Sequence, residues 1–205
     1  MCGMFGYAGS RPNMARVREI ATLAGRRGPH ACGWATAAGT VIRVNRDHGS
    51  LADHVDRVPS ARMIVGHSRL STSGGLSYRD LRDAQPLTLP GGVTEATGYV
   101  MAHNGVAKVN FAGPLDTNCD SEKLLRLTAS GNLAFALAQL PDDEPYAVIV
   151  GAITGLIVAR RGLPLFVKHA VEGVYLCSVP FDDATPLPEG RPTILKVTDG
   201  CEAGN

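Results

Sequence analysis

Met1-Cys2-Gly3-Met4-Phe5-Gly6-Tyr7-Ala8-Gly9 is the stretch on which the reading of the whole chain turns. A chain start is commonly frayed and solvated, so a cysteine at the second position is an unusual structural choice. Removal of Met1 would leave Cys2 with a thiol and a free α-amine. That amine has a reference pKa of roughly 7.7–8.0, suited to accepting a proton near neutrality. A nucleophile with its own adjacent base is a recurring way to activate a weak nucleophile. Met4, Phe5 and Tyr7 supply the apolar surface of a buried strand, and the interleaved glycines let backbone pack closely around the thiol. The expected mature chain therefore begins at Cys2.

Composition narrows the classes around that start. The chain has 205 residues, which predicts a single domain over residues 1–205. Hydrophobic residues make up 44%, enough for a sizeable core, and a formal net charge of +1 argues against nucleic acid as a partner. No apolar run of about 18 residues predicts a membrane span, and no secretory signal is read at the start. The five cysteines are odd in number and contain no C-x-x-C, which fits free thiols in a reducing, cytoplasmic setting. Cys32, Cys177 and Cys201 read as small packing or near-terminal residues. The histidines show no metal-ligand spacing, so no metal site is expected.

In chain order, a helix is expected from Asn13, as N-cap, to about Arg26, with Ile20, Leu23 and Ala24 on one side. Two strands follow at 34–37 and 41–44, then a short helix at 51–55 and an apolar strand, Arg62–His67. The Ser-, Gly- and Arg-rich segment 68–83 is long for a connection and reads as functional or mobile. A strand at 99–103 runs into Asn104-Gly105, and 121–140 reads as helix broken near Gly131. Strands are then expected at 146–152, 156–160, 165–168, 174–178 and 193–197. Many strands with helices clustered in two places predict sheets covered by helices, not an alternating βαβ order.

Several short segments carry chemistry, each with a plainer alternative. The Asn104 carboxamide and the Gly105 N–H can point at one oxygen, as an oxyanion hole requires; Asn-Gly is equally a hairpin turn. Arg69 offers a rigid fork for a carboxylate, or else a surface ion pair. Asp120, just ahead of a helix, can serve as an N-cap. Arg27 can be a solvated loop cation. Ser73-Gly74-Gly75-Leu76-Ser77 nearly matches the Ser-Gly-Gly-x-Asp-Ser loop of ATP pyrophosphatases, but lacks the Asp. It reads as a flexible loop over the site.

Met1-Cys2-Gly3, Arg27-Gly28-Pro29, Gly66-His67-Ser68-Arg69-Leu70-Ser71-Thr72, Ala84-Gln85-Pro86-Leu87, His103-Asn104-Gly105 and Cys119-Asp120-Ser121-Glu122 occur in one order along nearly the whole chain. Together they resemble the class II glutamine amidotransferases, the glutaminase halves that use an N-terminal cysteine. Some pieces are nearer the asparagine synthetase half and others nearer the glucosamine-6-phosphate synthase half. The resemblance implies an α+β fold, a four-layer αββα sandwich of the N-terminal nucleophile hydrolase type. It also implies that Cys2 attacks the glutamine amide, that Asn104 and Gly105 hold the oxyanion, and that Arg27 orients the Cys2 amine. Arg69 with Thr72 would take the substrate α-carboxylate and Asp120 its α-ammonium. No cofactor is required. Leu70, Ser73 and the Pro29-His30-Ala31 segment depart from the family pattern and bear on the downstream enzyme rather than on the Cys-Asn-Gly core. Because the chain ends at Asn205, the ammonia is expected to pass to a synthase in trans. The alternatives are a γ-glutamyl or other amide hydrolase, and a non-catalytic domain that retains the fold.

Overall fold

In a computed structural model, residues 2–71 and 80–197 are described. In chain order the elements are β1 (Gly3–Gly9), α1 (Met14–Gly25), β2 (Ala31–Ala38), β3 (Val41–His48), β4 (Met63–Arg69), β5 (Glu95–Ala96) and β6 (Tyr99–Gly105). They continue with α2 (Ser121–Ser130), α3 (Leu133–Leu137), β7 (Tyr146–Ala152), β8 (Gly155–Arg161), β9 (Phe166–Ala170), β10 (Gly173–Cys177), β11 (Thr185–Pro186) and β12 (Thr193–Lys196). The short helix expected at 51–55 is a 3-10 turn, Leu51–Arg57, entered through a capping box formed by Ser50 and Asp53. The two-residue strands β5 and β11 were beyond the reach of any periodicity argument. Thr72, the 73–77 loop and Cys201 lie outside the described residues.

The strands form two antiparallel sheets. One has the order β11-β9-β10-β1-β4-β2-β3-β5 and the other β12-β8-β7-β6. The opening stretch, β1, lies inside the larger sheet between β10 and β4, and all of its residues are buried. Side chains on a strand alternate between faces, so a buried strand in a layered fold must feed two cores at once. Met4 and Ala8 face the second sheet, where they meet the layer formed by Val100, Ala102, Ala147, Ile149 and Val158. Phe5 and Tyr7 face the other way, into a core shared with Val17, Ile20 and Ala24 of α1. The smaller sheet repeats the scheme. Met101, Val148 and Val150 turn outward onto Leu124, Leu125, Leu133 and Leu137 of α2 and α3. Three apolar layers separate four structural ones, and the result is the αββα sandwich.

Local chemistry sets the helix ends. Asn13 caps α1 by accepting from the N–H groups of Ala15 and Arg16 at 3.0 and 3.4 Å. Between α2 and α3 the chain breaks at Gly131, and Asn132 restarts it by accepting from Phe135 N at 2.9 Å. Leu23, expected on the buried side of α1, sits half-buried at its edge. Cys32 and Cys177 are fully buried free thiols, and burial pushes each up to about 12. They are packing residues, as the sequence suggests.

One glycine fixes how closely helix and strand approach. A Cβ on Gly3 would lie 1.9 Å from the carbonyl oxygen of Ala24 at the end of α1. That neighbour is backbone and cannot swing aside. Gly3→Ala should therefore sit at or above the upper end of overpacking effects, on the order of 3 kcal/mol. For a chain of this size that corresponds to a fall in Tm of roughly 5–10 °C. Thermal unfolding followed by circular dichroism checks it, and an unchanged Tm would show that α1 is free to move away.

Candidate active site

The site forms where the start of β1 meets the ends of β4 and β6. The antiparallel register pairs Gly3 with Ser68, which brings Cys2 alongside Leu70. Cys2 Sγ accepts from Leu70 N at 3.2 Å and its thiol lies 3.6 Å from Leu70 O. From the second sheet, Asn104 Nδ2 donates to the Cys2 carbonyl at 3.3 Å, across 102 positions of chain. Asn104 and Gly105 are not a hairpin turn. They are the last residues of β6, paired with Ala147 and Tyr146 of β7. Gly105 has φ +130°, and a Cβ there would meet Pro145 O at 2.7 Å and His103 Nε2 at 3.0 Å. Only glycine fits that corner.

Cys2, Arg27, Arg69, Asn104, Gly105 and Asp120 line one cavity of about 360 Å³. Arg69 is not at the surface: its side chain is 11% exposed and lies 3.9 Å from the fully buried carboxylate of Asp83. Asp83 also accepts from Asn118 N at 2.8 Å, so one carboxylate is linked both to Arg69 and to the segment leading to Asp120. Asp120 occupies the N-cap position of α2, but its side chain makes no capping bond. It turns instead to accept from Ala107 N at 2.6 Å. Arg27 donates to Ser178 O at 2.7 Å, while the Ser178 hydroxyl accepts from Met4 N at 3.0 Å, tying the arginine to the strand that carries Cys2. The cavity thus has a cationic and an anionic pole with a thiol between strand ends. Its lining also includes the apolar side chains of Val106, Pro145, Leu163 and Pro164. Among the described residues no three His, Cys, Asp or Glu side chains cluster as metal ligands.

A buried polar frame holds these groups, and the sequence reading assigned it no role. Gln85 accepts from His103 N at 2.5 Å and donates to Ser121 Oγ at 3.3 Å, joining β6 to the start of α2. His103 Nδ1 lies 2.9 Å from the same hydroxyl. His67 Nε2 lies 3.2 Å from Asn104 Oδ1. The signal was present, since His67 and His103 each follow an apolar run inside a motif quoted above, but nothing in one sequence says which atoms they meet. Burial drives both imidazoles down, His67 to about 3 and His103 to about 4. For His67 the bond to Asn104 and the backbone of His103 oppose the shift, while the charges of His103 and Arg69 add to it. Asp120 and Glu144 oppose it for His103. Both rings are neutral at pH 7.

Those depressed values have a consequence for stability. Unfolded histidines titrate near 6.5, so between that value and about 3 to 4 the unfolded chain binds more protons than the folded one. The stabilisation from keeping these rings neutral is complete above about pH 6.5 and is lost as the pH falls toward 4. Tm should decline over that window, and His103→Gln should flatten part of the decline. A Tm that stays level from pH 7 to 4 would contradict the neutral, buried state.

No protein-family model matches the chain. Curated sequences do. The chain is 33% identical over 195 residues to the amidophosphoribosyltransferase of Synechocystis, covering 84% of this chain and 38% of that one. It is 27% identical over 220 residues to the glutamine–fructose-6-phosphate aminotransferase of Halobacterium salinarum, covering 98% of this chain and 34% of the relative. The chain thus spans little more than a third of the length of these relatives. Among solved structures, the allosteric regulatory enzyme of purine biosynthesis aligns with a TM-score of 0.69 at 22% identity, over 86% of this chain and 42% of that one. A glutamine aminotransferase class-II domain protein from Silicibacter pomeroyi aligns with a TM-score of 0.60 at 15% identity, over 96% of this chain and 99% of that one. Those structural likenesses speak for the fold, an N-terminal nucleophile hydrolase sandwich. The sequence relatives place the chain in the class II glutamine amidotransferase family.

Proposed function

We propose that this chain hydrolyses the side-chain amide of glutamine through a thioester on Cys2. The observation that carries this reading is the meeting of the Cys2 thiol, the Asn104–Gly105 corner and the Arg69 and Asp120 poles in one cavity. With Met1 removed, the Cys2 α-amine, directly or through water, accepts the thiol proton as sulfur attacks the amide carbon. The carbonyl oxygen gains negative charge, and Asn104 Nδ2 with the Gly105 N–H stabilises it. The C–N bond then breaks, the amine returns its proton to the leaving nitrogen, and ammonia departs. Water adds to the thioester carbon, the C–S bond breaks, and glutamate and the thiol are regenerated. Arg27, anchored on Ser178 beside β1, orients the amine end of Cys2.

Substrate choice follows from charge. Glutamine presents a carboxylate and an ammonium on one carbon, matched by Arg69, helped by Thr72, and by Asp120. The domain is read as a single unit over residues 1–205, with no cofactor in the reaction. Ammonia released to water would be protonated and diluted, so we read the product as passed to a synthase. The relatives' names, an aminotransferase and an amidophosphoribosyltransferase, support an acceptor enzyme. A cytoplasmic setting fits the free thiols of Cys2, Cys32, Cys119 and Cys177. The apolar lining at Val106, Pro145, Leu163 and Pro164 favours one alternative, hydrolysis of a larger γ-glutamyl amide whose substituent lies against it.

Arg69→Ala and Asp120→Ala should each raise KM for glutamine by roughly ten- to a hundredfold, the equivalent of losing a hydrogen bond to a charged group. Steady-state glutaminase kinetics check this. Near-normal KM in both variants would mean that the pocket is elsewhere or that the substrate is not an amino acid. Intact-mass measurement on active protein should show a chain beginning at Cys2, and full activity from a chain retaining Met1 would rule out the amine as base.

A further inference from the structure

His67 is the least explained group near the cavity. It is fully buried in β4, flanked in the sheet by Met4 and Gly33, and it does not line the cavity itself. Nε2 lies 3.2 Å from Asn104 Oδ1, and Nδ1 has no hydrogen-bond partner among the described residues. A neutral imidazole carries one N–H, and the oxygen of a carboxamide only accepts. The contact therefore requires the proton on Nε2. On its other side the same carboxamide donates from Nδ2 to the Cys2 carbonyl at 3.3 Å. Turned by half a rotation, Asn104 would set Oδ1 against the Cys2 oxygen, two acceptors face to face, with its NH₂ against the Nε2–H donor. Donor on one side and acceptor on the other leave a single satisfied orientation. In it, the second hydrogen of Nδ2 remains for the cavity.

We infer that His67 is a positioning residue for the oxyanion donor: its Nε2–H locks the Asn104 carboxamide with nitrogen, not oxygen, toward the carbon attacked by Cys2. The inference rests on the glutaminase reading above. Losing His67 leaves the carboxamide free to turn its oxygen inward, where lone pairs would repel the developing charge. The charged ends of glutamine are held by Arg69 and Asp120, so binding should be spared while the chemical step suffers.

The test is a double-mutant cycle on glutamine hydrolysis with His67→Leu, Asn104→Ala and the pair, each checked for folding by thermal unfolding. Removing an oxyanion donor typically lowers kcat by about 10²–10³-fold, and Asn104→Ala should fall there. His67→Leu should lower kcat by roughly ten- to a hundredfold with KM changed less than about threefold, and the pair should be no slower than Asn104→Ala alone. His67→Gln, which keeps a donor, should recover part of the rate, and it serves as the variant if His67→Leu does not fold. Independent, multiplied effects in the pair, or wild-type kcat in folded His67→Leu, would overturn the assignment. Nitrogen NMR of histidine-labelled wild-type protein gives a readout that needs no turnover: the Nε2–H tautomer at pH 7 is expected, and the Nδ1–H tautomer would overturn it. If the wild-type chain hydrolyses no glutamine, the functional reading fails on its own, and the tautomer still decides the orientation of Asn104.

Discussion

The bonds of the Asn104 carboxamide to the Cys2 carbonyl and to His67 join two sheets whose facing layer is apolar. Everything chemical in the molecule lies around them. Apolar contacts are non-directional and would allow the sheets to slide by fractions of an ångström. A polar contact at the rim of that core is directional, and it fixes which residue of β6 stands over which residue of β1. The register of β1 against β4 then places Leu70 beside the thiol, and the pairing of β6 with β7 places Gly105 at the corner.

On the proposed reading, the protein separates two tasks around that contact. Capture of a zwitterion would need fixed opposite charges, which Arg69 and Asp120 on different elements would supply. The buried Asp83 carboxylate touches both sides of this arrangement, through Arg69 at 3.9 Å and the Asn118 N–H at 2.8 Å. Bond breaking would need neutral, oriented dipoles close to sulfur, and burial disfavours charge on His67 and His103. A charged imidazole beside Asn104 would bring its own field to the place where negative charge develops. On that reading, charge would stand at the ends of the substrate and neutrality around its reacting carbon.

Much of the layered fold was legible because it follows local rules. Alternation in Met4–Ala8 and in Val100–His103, the Asn13 cap, and the break at Gly131 are read within a few residues of themselves. The motifs also nominated side chains, several of which line one cavity. What stayed hidden depends on long-range geometry. Asp83 looks like one more acidic loop residue until Arg69 and Asn118 are seen beside it. Asn104-Gly105 carries the signature of a turn and becomes a strand end only because β7 lies alongside. The side chain of Asp120 does not take the capping role that its position invites and accepts from Ala107 N instead, a partner thirteen residues away that local sequence does not reveal.

The most direct measurement is release of ammonia and glutamate from glutamine by the purified chain and by its Cys2→Ala variant, with both proteins shown to be folded. The account predicts equal amounts of the two products from the chain that begins at Cys2. It predicts that Cys2→Ala, which removes the attacking sulfur and leaves the Arg69 and Asp120 poles in place, binds glutamine but releases neither product. Ammonia release by Cys2→Ala at a rate near that of the unaltered chain would contradict it.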